Sequence, residues 1–483
     1  MSERLTTSSS TSRNLDDDHS AKSGGVQTSR SHPGFPAGFE LRTRLVPILA
    51  SAVGVVALTV VAWRRLPAST GRTLWAEDGG IFLRQSLDST FPGGIFDPYA
   101  GYLHVVPRLL SHIALRLGSI DEYATIISWS SCLITALVGV AAFFLSRQLV
   151  GSIAARSALA LIPVLLPVAP FEVLGDTANL HWYMLWLVIW VVVYRPRRWI
   201  TSYGLAVVAF LAATSEIQTI IFLPVGIVAA WRERKRIPAT VGLAAGLVMQ
   251  ISATLRFPRP ESPDTVPWHV PSVVIGWLLQ GIYSTVQPSE SSVSAAWTAS
   301  GAWVLLIPTL LVVATAVVGW RAGGVVRIGT LGFLAASAAF WVAAQTLNNR
   351  EFMNYAEMTP AEWAHFGYLR YAVAPGMFFL GAVVIAASAG SSPAGRRVRH
   401  DGARPLGGAW RGPAAWGILA VVLCVNYFPS ASARWNGPVW SDQVAAARAS
   451  CMANPTAQTA VALVAPVGWQ YGQVPLPCSR LRR

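Results

Sequence analysis

Long apolar stretches separated by short polar connections run along the chain from about residue 45 onward. A helix needs about 20 mostly apolar residues to cross the hydrocarbon core of a bilayer. We find about eleven stretches that approach this length, at 45–63, 123–145, 153–170, 181–194, 199–214, 217–231, 237–255, 298–320, 328–346, 369–389 and 413–428. The pattern predicts an all-α polytopic membrane protein with about 11 transmembrane helices.

One apolar stretch does not fit this series. Residues 271–287 (PSVVIGWLLQGIYSTVQ) are apolar but short for a span. Counting them as a span would invert the later connections against the distribution of arginines. We therefore expect a re-entrant or interfacial helix on the outer side.

Arginine marks one alternate set of connections, which are 147–156, 195–198, 232–236, 321–327 and 396–411. Connections of this kind lie in the cytoplasm under the positive-inside rule. This places the N-terminus in the cytoplasm, and an odd number of spans then places the C-terminal residues outside. The bias toward Arg and Ala suggests a bacterial source, so we expect a multi-pass protein of a bacterial plasma membrane.

Composition supports lipid as the main solvent of the chain. Only 12% of its 483 residues are charged, against about 25% in soluble domains. The net charge of +14 would suit a nucleic-acid binder, but the basic residues lie in short connections, so no nucleic-acid partner is expected. The chain has no Walker A loop, GxGxxG motif or Cys/His cluster, which argues against cytoplasmic ATP or a nucleotide sugar as substrate.

Three regions follow from the pattern. Residues 1–44 are mostly polar and are predicted to be a disordered cytoplasmic tail, without the order of features that marks a signal peptide. Residues 45–428 form the transmembrane domain, with a long first outer loop at 64–122 that holds interfacial helices. Residues 429–483 are a small extracytoplasmic segment.

The C-terminal segment has two features that bear on function. Cys451 and Cys478 are predicted to form a disulfide, with two free thiols as the alternative. Residues 461–464 read as a strand after a short helix. The tryptophans Trp435, Trp440 and Trp469 could help to bind a glycan acceptor, although a structural cap is the simpler interpretation.

The outer connections carry the candidate chemistry. Glu77 and Asp78 precede a glycine pair, and adjacent carboxylates can supply a base or bind a divalent cation. The alternative is a helix N-terminus, where acids favour the dipole. His104 and Arg108 begin a stripe of basic residues with period four that continues through His112 and Arg116. Such a helix could hold a lipid phosphate, or it could simply anchor at the interface.

Further polar residues crowd the other outer connections. Glu172, Asp176, Asn179 and His181 lie in a short link between spans, where ionisable groups are costly and usually face a cavity. Arg370 stands at the start of a span, where it either contacts an anion or snorkels to the interface.

Four motifs, WAEDGGIFLRQ, PYAGYLHVVPRLL, GDTANLHWY and GYLRYAVAP, resemble the GT-C membrane glycosyltransferases, particularly the actinobacterial wall-associated members. The resemblance covers about residues 45–430 in topology, and the motifs themselves are short. It implies a sugar donor on a polyprenyl phosphate, and a glycan or lipid acceptor on the outer face of the membrane. One departure is the Glu-Asp pair in place of Asp-Asp, which leaves open which carboxylate acts.

The resemblance also implies roles for residues of this chain. Asp78 would be the general base, assisted by Glu77. His104, Arg108 and Arg370 would bind the donor phosphate. Tyr102, Glu172, Asp176, Asn179 and His181 would contact substrate, and a divalent cation (Mg or Mn) could be held by Asp78 and Asp176. The competing hypotheses are a transporter or flippase of lipid-linked saccharides, and a scaffold protein without chemistry.

Overall fold

The structure is a computed structural model that describes residues 37–259, 266–389, 417, 420–429, 432–469 and 471–482, with side chains from residue 48 onward. Residues 51–483 form one compact unit, which contains the candidate site. The predicted disordered tail lies outside the described residues up to residue 36, and its last residues instead begin the helix Ala37–Arg65. The arginine-rich connection 396–411 also lies outside the described residues.

Within the described residues, seven helices are long and apolar enough to cross a membrane. They are Ile48–Arg65, Tyr123–Gln148, Ile153–Glu172, Arg234–Arg256, Glu290–Ala322, Gly324–Leu347 and Arg370–Ser388. This confirms a mostly helical protein with the character of a polytopic membrane protein.

Three shorter apolar helices coincide with three further predicted spans. They are Leu180–Val193, Trp199–Ala213 and Ile217–Arg232. The first has 14 residues, and about 1.5 Å per residue gives a length of about 21 Å, which is less than the hydrocarbon core of about 30 Å. The total of about 11 spans therefore stays a prediction, and the last, 413–428, lies only partly within the described residues.

Two of the long helical stretches contain interruptions. Pro163 lies in the helix Ile153–Leu165, after which a short helix forms at Ala169–Glu172. The stretch from Glu290 consists of the helices Glu290–Ser300 and Leu306–Ala322, joined by a 3-10 turn at Gly301–Leu305. The remaining α-helices of the bundle are Tyr123–Leu145, Leu223–Arg232, Ile237–Arg256, Gly324–Leu347 and Val373–Ser388.

Burial distinguishes central helices from peripheral ones. The helix Leu180–Val193 is apolar all round, and Leu185 and Trp186 are fully buried. By contrast, Ile48 and Val53 of the first helix are more than 60% exposed. An exposed apolar helix face of this kind requires lipid or a partner to cover it.

The apolar stretch at 271–287 forms a short, bent helical segment. It consists of the α-helix Val270–Gly276, the π-helix Trp277–Ile282 and the 3-10 turn Tyr283–Thr285. The Gln280 side chain donates to Gly367 O at 2.8 Å and accepts from Leu369 N at 2.9 Å. The centre of the segment is therefore covered by protein, unlike a helix that lies on a lipid surface.

Residues 64–122, the predicted first outer loop, are largely helical. They contain a 3-10 turn at Thr70–Arg72, a π-helix at Asp78–Leu83, and α-helices at Arg84–Asp88 and Val105–Leu117. Single π-helical turns within helices often mark functional sites. Here the π-helix begins at the second carboxylate of the Glu-Asp pair.

The C-terminal segment is a small mixed module, so the all-α description applies to the membrane part alone. The helix Trp440–Ala453 packs on the strand Thr459–Leu463. This strand pairs with the antiparallel strand Gln473–Pro477, which leads into the short helix Cys478–Leu481. Ala460 pairs with Leu476 and Ala462 with Val474, and these residues face the module's core. A disulfide joins Cys451 to Cys478, with their Cα atoms 5.5 Å apart.

This module is fastened to the first outer loop. Ala465 N donates to Leu74 O at 2.9 Å, and Trp440 Nε1 donates to Ile120 O at 2.6 Å. Arg448 forms an ion pair with Asp121 at 2.7 Å. The residues that follow the first strand are thereby held beside the Glu-Asp pair.

Candidate functional site

A polar cavity of about 110 Å³ is lined by residues of the first outer loop, of the start of the helix Leu180–Val193 and of the start of the span Arg370–Ser388. Its polar and aromatic lining includes Glu77, Tyr99, Tyr102, His104, Asn179, His181, Glu216, Gln218, Arg259, Asn348, Arg370 and Tyr371. The volume is below the roughly 300 Å³ at which small-molecule pockets begin. Only the reacting groups of a large substrate fit within it.

Glu77 presents its carboxylate to this cavity. Its Oε1 lies 3.7 Å from Nη1 of Arg370, and its side chain is 15% exposed. Its Oε2 is buried and has no hydrogen-bond partner among the described residues. A buried acceptor without a partner is costly, so a donor supplied by a substrate would satisfy this oxygen.

Arg370 is held between two acids. Its Nη1 donates to Oε1 of Glu172 at 2.9 Å, in addition to the longer contact with Glu77. Its guanidinium carbon also lies 5.8 Å from the ring centroid of Tyr371 and 6.0 Å from that of Trp469. Arg370, at the start of a span, is therefore paired with protein carboxylates in this structure; its predicted contact with a donor phosphate stays a prediction.

A second guanidinium lies on the rim of the cavity. Nη1 of Arg259 donates to Oδ1 of Asn348 at 2.5 Å. Arg259 and Arg370 both line the cavity. Positioned guanidinium groups bind phosphate oxygens through charge-assisted hydrogen bonds.

Asp78 points away from the cavity into a fully buried position. Its Oδ2 accepts from Thr177 N at 3.0 Å, and its Oδ1 accepts from Thr177 Oγ1 at 2.5 Å and from Ala178 N at 2.9 Å. Burial raises the pKa of Asp78 to about 6, although the Thr177 hydrogen bonds and the charge of Arg434 oppose the shift. Asp78 therefore orders the link between spans, and it is Glu77 that faces the cavity.

Asp176 and Arg434 lie behind Asp78. Asp176 is fully buried, and its Oδ1 accepts from Asn179 N at 2.8 Å. Burial, followed by the nearby Asp78 charge, raises the pKa of Asp176 well above its usual range. Arg434 donates to Gly175 O at 3.1 Å and to Leu174 O at 3.0 Å. Asp176 and Arg434 therefore stabilise the backbone of the segment 174–179, which supplies Asn179 to the cavity lining.

Two histidines form another part of the lining. His181 Nδ1 is hydrogen-bonded to Oε2 of Glu216, whose Oε1 accepts from Gln218 N at 2.8 Å. The ring of His104 lies 6.2 Å from that of His181. Burial, and then the nearby His181 and Arg108, lower the pKa of His104 well below its usual range.

His104 has an unusual backbone for a non-glycine residue, with φ of 53° directly before the helix Val105–Leu117. Both of its ring nitrogens are buried, and the backbone of Tyr99 lies close enough to oppose the lowering of its pKa through a hydrogen bond. A left-handed conformation costs energy outside glycine and often marks a functional site. Because its pKa is lowered, His104 is a neutral, buried group in the lining.

Arg108 does not reach the cavity. Its Nε donates to Leu103 O at 3.0 Å and its Nη1 to Gly94 O at 3.1 Å, and its guanidinium lies over the Phe82 ring at 5.4 Å. The same helix directs His112 to Gly93 O at 3.2 Å. The predicted basic stripe is therefore covered in part by residues of its own loop, and the structure does not place Arg108 where it could bind a donor phosphate in this cavity.

The structure thus brings together six of the sequence-predicted residues, which are Glu77, Tyr102, His104, Asn179, His181 and Arg370. Four others, Asp78, Arg108, Glu172 and Asp176, support the lining from outside it. Sequence reasoning assigned no role to Tyr99, Gln218, Arg259 or Asn348. The sequence feature that could have pointed to these four residues is their position, because each lies in or beside a predicted outer connection.

The described residues do not form a carboxylate-rich metal site. No group of three or more His, Cys, Asp or Glu side chains within them is placed to hold a metal ion. Both Asp78 oxygens already accept hydrogen bonds from Thr177 and Ala178. The predicted pair Asp78 and Asp176 therefore does not fit a divalent cation at this cavity.

No protein family, curated protein or solved structure matches the chain. The geometry of the cavity and the apolar helices beneath it are therefore the basis for a functional assignment. The strongest features are the carboxylate of Glu77 and the two guanidinium groups that share its cavity.

Proposed function

We propose that the protein is a GT-C-type membrane glycosyltransferase. It would move a sugar from a polyprenyl-phosphate donor to a cell-envelope glycan or lipid acceptor on the outer face of a bacterial plasma membrane. The observation that carries this proposal is the carboxylate of Glu77. It lines a polar cavity together with Arg370 and Arg259, and its Oε2 is buried without a hydrogen-bond partner among the described residues. The apolar helices below would admit the lipid chain of the donor.

In this mechanism Glu77 is the general base. Its carboxylate takes the proton of the acceptor hydroxyl while that oxygen attacks the anomeric carbon of the donor sugar. The bond between the anomeric carbon and the phosphate oxygen breaks, and its electron pair stays on the phosphate. Attack opposite to the leaving group inverts the configuration. Proton removal by a placed carboxylate contributes about 100- to 10,000-fold to the rate.

The leaving phosphate gains negative charge, which Arg370 and Arg259 would stabilise. Cations fixed before the reaction stabilise developing charge without reorganisation in the transition state. Glu172 fixes the Arg370 guanidinium from one side. Asn348 accepts a hydrogen bond from Arg259, and both residues line the cavity.

Asp78 serves this reaction indirectly. By accepting hydrogen bonds from Thr177 and Ala178 it orders the link that supplies Asn179 and His181 to the lining. No step is assigned to a divalent cation, because the carboxylates do not form a suitable ligand set within the described residues.

The proposed topology has about 11 spans, a cytoplasmic N-terminus and an extracytoplasmic C-terminal module. It is supported by the helix Leu180–Val193, which begins beside the cavity and ends next to Arg195 and Arg197. Arginines at one end of a span indicate the cytoplasmic side. The cavity would then lie on the outer side, where lipid-linked donors and wall acceptors meet.

The test is sugar transfer in membranes that contain the protein, with a panel of polyprenyl-phosphate sugars and a cell-envelope extract as acceptor. Formation of a glycosylated product that depends on the protein supports the proposal. Movement of a lipid-linked saccharide across vesicles without any product would contradict it and favour the flippase hypothesis. Folded protein with neither activity would favour a scaffold.

A further inference from the structure

A second cavity lies at the opposite end of the helix Leu180–Val193 from the candidate site. Its volume is about 620 Å³, and its lining includes Gln148, Arg195, Arg197, Glu233, Lys235 and Arg236. The helix rises about 1.5 Å per residue, so its 14 residues separate the two ends by about 21 Å. This second cavity is therefore distinct from the proposed catalytic site.

Hydrogen bonds join three connections that are distant in sequence around this cavity. These are the connections at 147–156, 195–198 and 232–236. Gln148 Nε2 donates to Arg195 O at 2.8 Å, and Arg195 N donates to Gln148 Oε1 at 2.7 Å. Lys235 Nζ donates to Arg197 O at 2.8 Å. The cavity is thus built by specific contacts between connections.

The charges of the lining do not balance. Glu233 forms an ion pair with Nε of Arg195 at 2.5 Å, which leaves Arg197, Lys235 and Arg236 as an excess of positive charge. Nε of Arg236 is buried and has no hydrogen-bond partner among the described residues. A buried guanidinium donor without a partner is costly, and carboxylate and phosphate oxygens are the acceptors that match guanidinium geometry.

The surroundings of the cavity indicate a membrane surface. Trp199 and Trp231 lie next to the lining in sequence, and their side chains are 49% and 90% exposed. Tryptophan concentrates at the level of lipid headgroups. Basic pockets between helices at that level bind anionic headgroups.

We propose that this second cavity binds a phosphate group, presented either by an anionic lipid headgroup or by free phosphate. Arg236 and Arg197 donate to the phosphate oxygens, and Lys235 adds a further positive charge. The site lies at the end of the helices that carries the arginine-rich connections. It does not depend on the proposed transfer reaction, since none of its residues lines the first cavity.

The experiment is a binding titration on full-length protein purified in a neutral detergent and stripped of lipid. Binding is read from the rise of the thermal unfolding temperature, because a ligand that binds only the folded state stabilises it. The probes are a short-chain phosphatidylglycerol, a short-chain phosphatidylcholine of equal chain length, and inorganic phosphate. The variants are Arg236→Gln, Arg236→Lys and the matched control Arg321→Gln from another basic connection.

Phosphatidylglycerol should stabilise the wild type more than phosphatidylcholine does. Arg236→Gln should weaken that binding by about 10- to 100-fold, because a hydrogen bond to a charged group is lost. Arg236→Lys should retain part of the affinity, and Arg321→Gln should retain all of it. Saturable stabilisation by inorganic phosphate would assign the site to soluble phosphate. Greater stabilisation by phosphatidylglycerol than by phosphatidylcholine, with none by inorganic phosphate, would assign it to a lipid headgroup.

Equal stabilisation by both lipids with none by inorganic phosphate would overturn the proposal. Equal losses in Arg236→Gln and Arg321→Gln would also overturn it, because binding would then follow net charge and not this cavity. Should Arg236→Gln fail to fold, Arg197→Gln replaces it, since Arg197 is exposed and its side chain can be changed with little effect on packing.

Discussion

Glu77 Oε1 lies 3.7 Å from Nη1 of Arg370, which joins the first outer loop to the start of the last described span. The same guanidinium nitrogen is 2.9 Å from Oε1 of Glu172. The carboxylates of Glu77 and Glu172 therefore share the guanidinium of Arg370. The second carboxylate oxygen of Glu77, Oε2, has no hydrogen-bond donor among the described residues. This arrangement distinguishes Glu77 from its neighbour Asp78, both of whose oxygens are occupied.

The buried acids behind the cavity predict a dependence of stability on pH. The pKa of Asp78 is raised by burial from 3.8 to about 6, and that of Asp176 is raised further above its usual range. An acid whose pKa is raised in the folded state binds its proton more tightly there than in the unfolded chain. Stability is then highest at low pH and is lost as the pH rises through the folded-state pKa.

The contribution of Asp78 should accordingly fall between about pH 4 and pH 6, and that of Asp176 should extend the loss to higher pH. Asp176→Asn should flatten the upper part of a profile of unfolding temperature against pH, although Arg434 and Glu77 also act on this acid. The exposed Asp442→Asn is the control. An identical profile for wild type and Asp176→Asn would contradict this prediction.

The disulfide of the C-terminal module predicts a sensitivity to reductant. Cys451 and Cys478 are separated by 27 positions, and closing a loop of that size stabilises the folded state by about 3 to 4 kcal/mol in the chain-entropy model. Cys478→Ser, or reduction of the wild type, should speed proteolysis within residues 440–482. The control is Cys424→Ser, which removes a free thiol. Equal proteolysis rates in Cys478→Ser and Cys424→Ser would count against a stabilising role.

The glycine pair after Asp78 predicts a packing constraint. A Cβ atom on Gly80 would lie 2.8 Å from Tyr471 O, which is backbone and cannot rotate away. Gly80→Ala should therefore destabilise the contact between loop and module by about 1 to 3 kcal/mol, as overpacking does. Gly151→Ala is the control, because a Cβ there meets nothing within 4 Å. A thermal shift assay that found the two variants equally stable would refute the constraint.

The position of Trp469 leads to the prediction that the C-terminal module binds the acceptor in the proposed transfer reaction. Its ring is 43% exposed and lies 6.0 Å from the guanidinium carbon of Arg370. Trp469→Ala should raise KM for the acceptor about 2- to 10-fold with little change in kcat, because a stacking surface is lost. Trp435→Ala removes a ring of similar exposure, 49%, as the control. Equal KM values in the two variants would leave Trp469 as part of a structural cap.

Hydropathy predicted the helical membrane part because spans leave long one-dimensional signals. The apolar stretches that contain Leu185 and Phe378 show this, since both residues lie in the buried core of predicted spans. The number of spans could not be settled in the same way. Helices such as Leu180–Val193 are shorter than the core of a bilayer, and their depth depends on neighbours that a sequence window does not see.

The site was predicted in outline and not in detail. Glu77 and Asp78 are adjacent in sequence, and the resemblance favoured Asp78, but the π-helix that begins at Asp78 directs the two side chains to different environments. As part of a basic stripe in the sequence, Arg108 was expected to be available for a phosphate. In the structure, backbone carbonyls of its own loop accept hydrogen bonds from its guanidinium. Arg259 carried no motif at all and reaches the cavity through tertiary packing.

Glu77 acts as the base in the proposed transfer, and the direct test of this role is sugar transfer by Glu77→Gln beside wild type and Asp78→Asn. The amide keeps the shape of the side chain but cannot take the acceptor proton. Glu77→Gln should therefore fold normally and lose about 100- to 10,000-fold in rate. Asp78→Asn should instead lower the unfolding temperature. The amide NH2 group would replace a carboxylate oxygen that accepts a hydrogen bond from the backbone N–H of Thr177 or Ala178, and that donor would be left without a partner. Wild-type transfer by Glu77→Gln would contradict the account.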